Sequence, residues 1–269
     1  MNSFWNLVKE IPLSNFLLKT PYQEVLENLD NHEKGILTKN SKLFLSSLFG
    51  WGISLFSTIN WFVFPVSSSL IILANLILFL RSKNFFKEAA YSIALYVSCQ
   101  TALIFYVASI KVSNTTSWNR IASTTYILIS FLLVLFVVKT KLMENLQARY
   151  LPDKKMTHFL SIKMVKRVSK FIVIFIALYL AALQFFRVNK WWLRNFNPDL
   201  LSGLNGTFLG NILSIISVII GLVVLMLVTL IPTILLDIKV IVTGLLLRDY
   251  SEEVRNEYGF TEKEWYGEE

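Results

Sequence analysis

The stretch "LFLSSLFGWGISLFSTINWFVFPVSSSLIILANLILFL", residues 43–80, decides the fold class. It contains no charged residue. A soluble domain carries about 25% charged residues, whereas this chain has 16%, with 54% apolar residues and a mean hydropathy of +0.55. An uncharged run well beyond the ~20 residues that cross a ~30 Å hydrocarbon layer must fold back on itself. Pro65 and Ser67-Ser68-Ser69 lie near its middle, and Lys42 and Arg81 flank it. The run therefore predicts a helical hairpin with spans near 43–64 and 66–81. The fold class that follows is all-α: a polytopic integral membrane helical bundle of about six transmembrane helices, with short cytoplasmic amphipathic helices.

Outward from this hairpin, charge-free runs at 89–110, 121–138 and 171–186 predict one span each. The last of these is short, but Lys170 and Arg187 can snorkel from its ends. A further run begins around Phe208 and stays uncharged to Leu236. Apolar character then resumes after Asp237 and Lys239. Each of these charges costs ~2.5–3.5 kcal/mol at mid-bilayer, and at i,i+2 they do not face each other on a helix. The reading is one span, kinked or ended near Pro232, then an interfacial helix to residue 247.

Charge sets the orientation. With six spans and the N-terminus inside, the inner segments before the last span hold seventeen Lys and Arg residues. The outer loops hold Lys111, Arg120, Arg187, Lys190 and Arg194. Positive residues favour the cytoplasmic side, so the chain reads as a multi-pass protein of the cell (plasma) membrane with both termini cytoplasmic. The net charge of +8 needs no nucleic acid to explain it. Residues 1–41 form a cytoplasmic amphipathic N-terminal segment, and 42–247 the membrane domain with a basic cytoplasmic hairpin at 139–170. Residues 248–269 form an acidic cytoplasmic C-terminal cap. Lys9, Glu10 and Pro12 interrupt the N-terminus before a signal-peptide core forms.

Helices in lipid associate through small residues and a few polar contacts. Ser46, Gly50 and Ser54 recur every four residues, as do Ala90, Ala94, Ser98 and Ala102, while Gly210, Ser214, Ser217 and Gly221 follow a 4-3-4 spacing. Each set shares a helical face and is expected to point into the bundle. Asn60, Asn75, Gln100 and Asn211 are expected to bond between helices, and Cys99 to be a small packing residue.

No sequence motif for a metalloprotease, a nucleophile elbow or a phosphate-binding loop is present. One cysteine and two histidines (His32 and His158, both in inner segments) offer no metal cluster, so no cofactor is expected and the protein is not expected to be an enzyme.

Thr20, Pro21 and Gln23 have the spacing of a capped helix start, and Gly35 that of a helix stop. Phe4, Trp5, Leu7, Val8 and Ile11 are expected on the membrane surface. Leu142, Met143, Leu146 and Tyr150 continue a stripe out of the fourth span until Pro152 breaks it. In the basic hairpin, Lys154, Lys155, Lys163, Lys166 and Arg167 are candidate contacts to anionic lipid. In the outer loop, Trp191 and Trp192 beside Arg194 form an interfacial belt or a contact surface for a partner.

The final residues, "YSEEVRNEYGFTEKEWYGEE" (250–269), carry their own folding signals. Ser251 is placed to cap a helix whose first turn holds Glu252 and Glu253, and Gly259 to end it. Thr261 and Glu264 have capping-box spacing, with Phe260 and Trp265 at staple positions. The tail is expected to fold back toward the basic 139–170 hairpin, with Trp265 and Tyr266 as candidate partner contacts.

The polytopic style of the chain, together with "INWFVFP" at 59–65, resembles membrane immunity or self-protection proteins of Gram-positive bacteria. The resemblance implies a non-enzymatic membrane protein that binds another protein, such as an immunity protein against a membrane-active toxin. The alternative class is a transporter, channel or structural subunit of a membrane complex. That class expects a polar cavity lined by Asn60, Gln100 and Asn211. The expected partners are the lipid bilayer, a protein partner or a second copy, and anionic lipid, but not nucleic acid.

Overall fold

The computed structural model describes residues 2–29, 33–55, 62–111, 114–151, 221 and 224–267. Among these, all regular structure is helical. The chain divides into two compact units, residues 1–161 with 232–269, and residues 162–231. The second unit is described only at Gly221 and from Val224 onward, where the chain is helical.

In the first unit, three short helices, α1 (Asn2–Lys9), α2 (Leu13–Lys19) and α3 (Tyr22–Asn28), precede α4 (Glu33–Leu55) and α5 (Val63–Leu80). A 3₁₀ turn at Asn84–Phe86 leads into α6 (Lys87–Ala108), and α7 runs over Thr116–Tyr150. After the undescribed residues come α8 (Ile231–Leu235), α9 (Ile238–Asp249), α10 (Ser251–Tyr258) and α11 (Glu262–Tyr266).

Among the described residues, three helical stretches are long and apolar enough to cross a membrane: Val63–Leu80, Asn84–Ala108 and Thr116–Tyr150. A fourth is reached if the broken pair Val224–Leu235 and Ile238–Asp249 counts as one span. The expected span at 171–186 and most of the run from Phe208 lie outside the described residues. The expected first span is also altered. Its apolar part is the end of α4, whose first turns contain Glu33, Lys34, Lys39 and Lys42.

The hairpin breaks earlier than expected. α4 is described as far as Leu55, and Pro65 lies inside the first turn of α5, which starts at Val63, rather than at the bend. A first-turn amide has no intrahelical acceptor, so proline there loses no hydrogen bond. Ser68 and Ser69 are helical, and their hydroxyls donate back to the Pro65 carbonyl at 3.2 and 2.6 Å.

The seam of the bundle is α4 against α6. Leu43, Ser47, Gly50 and Ser54 are buried on α4, and Ala90, Ala94, Ser98 and Ala102 on α6. A Cβ at Gly50 would lie 3.2 Å from the Ser98 carbonyl oxygen and 3.3 Å from Ala102 Cβ, so the glycine sets the approach of the two backbones. Ser46 is half-exposed and bonds only its own helix, through Leu43 O. Ser47 faces α6 instead, 2.9 Å from the Ser98 hydroxyl. The contact row follows a 4-3-4 spacing because 3.6 residues make one turn, and a strict four-residue row drifts off the seam. Ser54 donates to Ser68 of α5 at 2.8 Å. Asn75 donates to the Ala94 carbonyl at 2.8 Å, tying α5 to α6 as expected for an interhelical amide. Cys99 differs from expectation: it is exposed on α6 and packs into no core. Of the third stripe only Gly221 is described; Gly210, Ser214 and Ser217 lie outside the described residues.

The end of the last apolar run has a local explanation. The helix is interrupted at Leu230, and Pro232 stands in the first turn of α8. A second break falls at Leu236–Asp237, where Asp237 caps α9 by accepting from the amides of Lys239 and Val240 at 3.1 and 3.3 Å. Across that break Lys141 of α7 donates to the carbonyls of Thr233 (2.7 Å) and Ile234 (3.3 Å), which end α8 without helical donors. α9 packs inside the protein. Val242, Thr243, Leu246 and Leu247 are fully buried, and Gly244 meets α6.

A Cβ at Gly244 would sit 2.4 Å from Ala89 Cβ, whereas at Gly52 it would meet nothing within 4 Å. Gly244→Ala is therefore expected to destabilise the protein by about 1–3 kcal/mol, while Gly52→Ala is neutral or slightly stabilising. Thermal unfolding of the detergent-solubilised protein checks the pair.

Candidate functional site

The end of the bundle that holds the start of α6 and the end of α7 carries a second core, built from both ends of the chain. Val8, Ile11, Phe16 and Val25 from the N-terminal helices share it with Leu146 and Tyr150 of α7, Val242 and Leu246 of α9, and Val254 and Trp265 of the tail. Phe4, Leu7, Val8 and Ile11 are thus buried in protein rather than laid on lipid, and Trp5 packs against the same core. The helix stripe of α7 runs into this core through Met143, Leu146 and Tyr150. The helix then ends at Tyr150, just before Pro152.

The tail enters by its predicted devices, with one exchange. Gly259 ends α10 at φ 71°, a left-handed conformation that glycine adopts without Cβ strain. Thr261 and Glu264 form the capping box of α11, and Phe260 stacks on Trp265 with ring centroids 5.5 Å apart. Ser251, however, is inside α10 and does not cap it. Its hydroxyl accepts the Trp265 indole N–H at 2.8 Å. Trp265 is fully buried and stacks on Phe85 at 5.4 Å and 18°. Asn84 donates to the Glu264 carbonyl at 3.3 Å. Tyr266 is half-buried, edge-on to Phe85, and donates its hydroxyl to Glu252. That contact holds the Glu252 carboxyl below its usual range.

The expected docking partner of the tail was the basic hairpin, through charge. Among the described residues the tail meets the 3₁₀ turn and the N-terminal helices through aromatic rings, and its ion pairs are internal. Arg255 pairs with Glu252 at 2.9 Å and with Glu262 at 3.4 Å.

At the base of this body lies Glu24 of α3. Its Oε2 accepts from Arg149 at 2.6 Å and sits 3.2 Å from the Lys239 ammonium, while Oε1 accepts from the Thr243 hydroxyl at 3.2 Å. Arg149 also donates to the Lys19 carbonyl at 2.8 Å. Burial pushes the Glu24 carboxyl up, but Arg149 and then Lys239 outweigh it and hold the carboxyl below the ordinary range. Thr20 does not cap α3, since Pro21 occupies that position without a side-chain bond. Thr20 is fully buried with its hydroxyl 3.0 Å from that of Tyr150. Nor does Gly35 stop a helix, since it lies within α4.

Gln100, expected to line a cavity in a transporter, is buried and accepts from Thr233 at 3.3 Å. Asn60, Asn211, His32, His158, Trp191, Trp192, Arg194, Lys154, Lys155, Lys163, Lys166 and Arg167 lie outside the described residues. Among the described residues no three His, Cys, Asp or Glu side chains converge on a metal position. Comparison with protein-family models, curated proteins and solved structures gives no match.

The Glu24 cluster was not readable in advance, because its charged members come from three separate segments. The one available signal was Lys239, a charge in an apolar run that Asp237 cannot neutralise. Two outcomes follow. Glu24→Gln is expected to be less stable than wild type at pH 7. Because the folded carboxyl is depressed, its stabilisation is present above the ordinary carboxylate pKa of ~4.3 and vanishes as pH falls through the folded value. The difference in melting temperature between the two proteins should therefore close on acidification. Trp265→Ala is expected to cost about 3–5 kcal/mol of local stability, read as rapid proteolysis of the tail in intact membranes.

Proposed function

We propose that this chain is a multi-pass protein of the cell membrane, with both termini cytoplasmic, whose function is to bind another protein. The observation that carries this reading is the body made from the two chain ends. Spanning a bilayer requires only the helices and their packing. Here, helices α1–α3 and α9–α11 are in addition ordered around a buried tryptophan and a shared carboxylate. Fixing so many residues carries an entropic cost of about 1–2 kcal/mol each. A rigid presenting surface at the membrane is the use that accounts for it.

Within this reading the resemblance at residues 59–65 favours an immunity protein, which would neutralise a membrane-active toxin by occupying it or its receptor. Crosslinking in native membranes followed by purification should recover a stoichiometric protein partner. The yield of that partner should fall at least tenfold when the chain is truncated after Asp249, with the membrane helices still inserted. Expression should also lower the sensitivity of a susceptible host to the toxin. Recovery of no partner from native membranes would contradict the proposal. Retention of the same partner by the truncated chain would place the contact in the membrane domain instead.

A further inference from the structure

Resting on the protein-binding reading, we infer that its contact surface is the aromatic ledge formed by Tyr22, Tyr258 and Phe260, and that the partner segment it takes is basic. Tyr22 of α3 and Phe260 of the tail stack nearly parallel, with centroids 5.4 Å apart at 8°, and Tyr258 meets Tyr22 edge-on at 5.5 Å. Tyr258 is fixed from beneath, where its hydroxyl donates to the Thr20 carbonyl at 3.0 Å. The ledge thus joins the two chain ends on the outside of the body, and its outermost ring, Tyr22, remains 47% exposed.

The tail that supplies two of its rings is acidic: residues 248–269 hold eight Asp and Glu against Arg248, Arg255 and Lys263. Glu253 and Glu257 are exposed, lie one turn apart on α10, and enter no ion pair or hydrogen bond among the described residues. Burial pushes the Tyr258 hydroxyl pKa up, and the adjoining Glu257 carboxylate adds to the rise. Arg255, on the same helix, is already shared between Glu252 and Glu262. A tyrosine face on an acidic tail is attractive to a guanidinium or ammonium group, which stacks on the ring while its N–H groups reach the exposed carboxylate of Glu257. The ledge thus selects a segment carrying arginine or lysine next to an apolar anchor. Acidic segments are repelled, and neutral ones gain only the ring contact.

The test uses the full-length protein in nanodiscs of neutral phosphatidylcholine and a fluorescent peptide of alternating arginine and leucine. A glutamate–leucine peptide serves as control. Saturable binding of the basic peptide is expected, weakened at least tenfold by Tyr22→Ala and by the Glu253→Gln/Glu257→Gln pair, and weakened further by salt. Tyr22→Phe should retain binding, which separates the ring face from the hydroxyl, and unchanged melting temperatures show that the fold is intact. Equal binding to both peptides, or to wild type and the two variants, overturns the ledge. If the co-purified partner survives Tyr22→Ala, the ledge fails while the protein-binding reading stands. If no partner is ever recovered, that reading fails regardless of the peptide.

Discussion

The carboxylate of Glu24 is the contact on which the rest of the terminal body depends. Carried by α3, it is shared by Arg149 at the end of α7, by Lys239 at the start of α9 and by Thr243 in the middle of α9. Arg149 and Glu24 are largely buried and would each be costly alone, while Lys239 reaches the cluster from a half-exposed position. Together they become a compensated cluster, and the cost of burying each is offset by the others. Once α3 is fixed to α7 and α9, Thr20 reaches Tyr150, and Phe16 packs against Tyr150 and Tyr250. The tail then has a surface on which to close.

The same economy of charge explains the interrupted helix at 231–249. Asp237 and Lys239 looked costly as members of a transmembrane helix. The break at Leu236–Asp237 gives each a local role: Asp237 caps α9, and Lys239 pairs with Glu24. Lys141 completes the break by accepting the role of donor to the freed carbonyls of Thr233 and Ile234. The α4–α6 seam below needs no charge at all. Ser47 and Gly50 meet Ser98 and Ala102 at close backbone approach, the packing that lipid solvent rewards.

What was legible in the sequence was short-range. The capping box at Thr261 and Glu264, the Gly259 stop and the break before Pro152 each depend on residues within one or two turns, and each is seen. The α6 stripe was readable for the same reason. The errors arose where a local signal competed with a distant partner. Thr20 has the spacing of a cap but bonds Tyr150, and Ser251 has the spacing of a cap but accepts from Trp265. Phe4, Leu7, Val8 and Ile11 have the pattern of a membrane-surface helix because an amphipathic face reads the same whether protein or lipid covers it. The Glu24–Arg149 pair, separated by most of the chain, leaves no periodic trace.

The two ends of the chain fold together into one body around the end of α7 and around α9. Hydrogen exchange of the full-length protein in nanodiscs, followed by mass spectrometry, tests it most directly. The account predicts that amides of α10 and α11 are protected to the same degree as those of α1–α3, and that Glu24→Gln lowers protection in both together. Exchange of residues 250–267 at the rate of an unstructured peptide, with α1–α3 still protected, would contradict it.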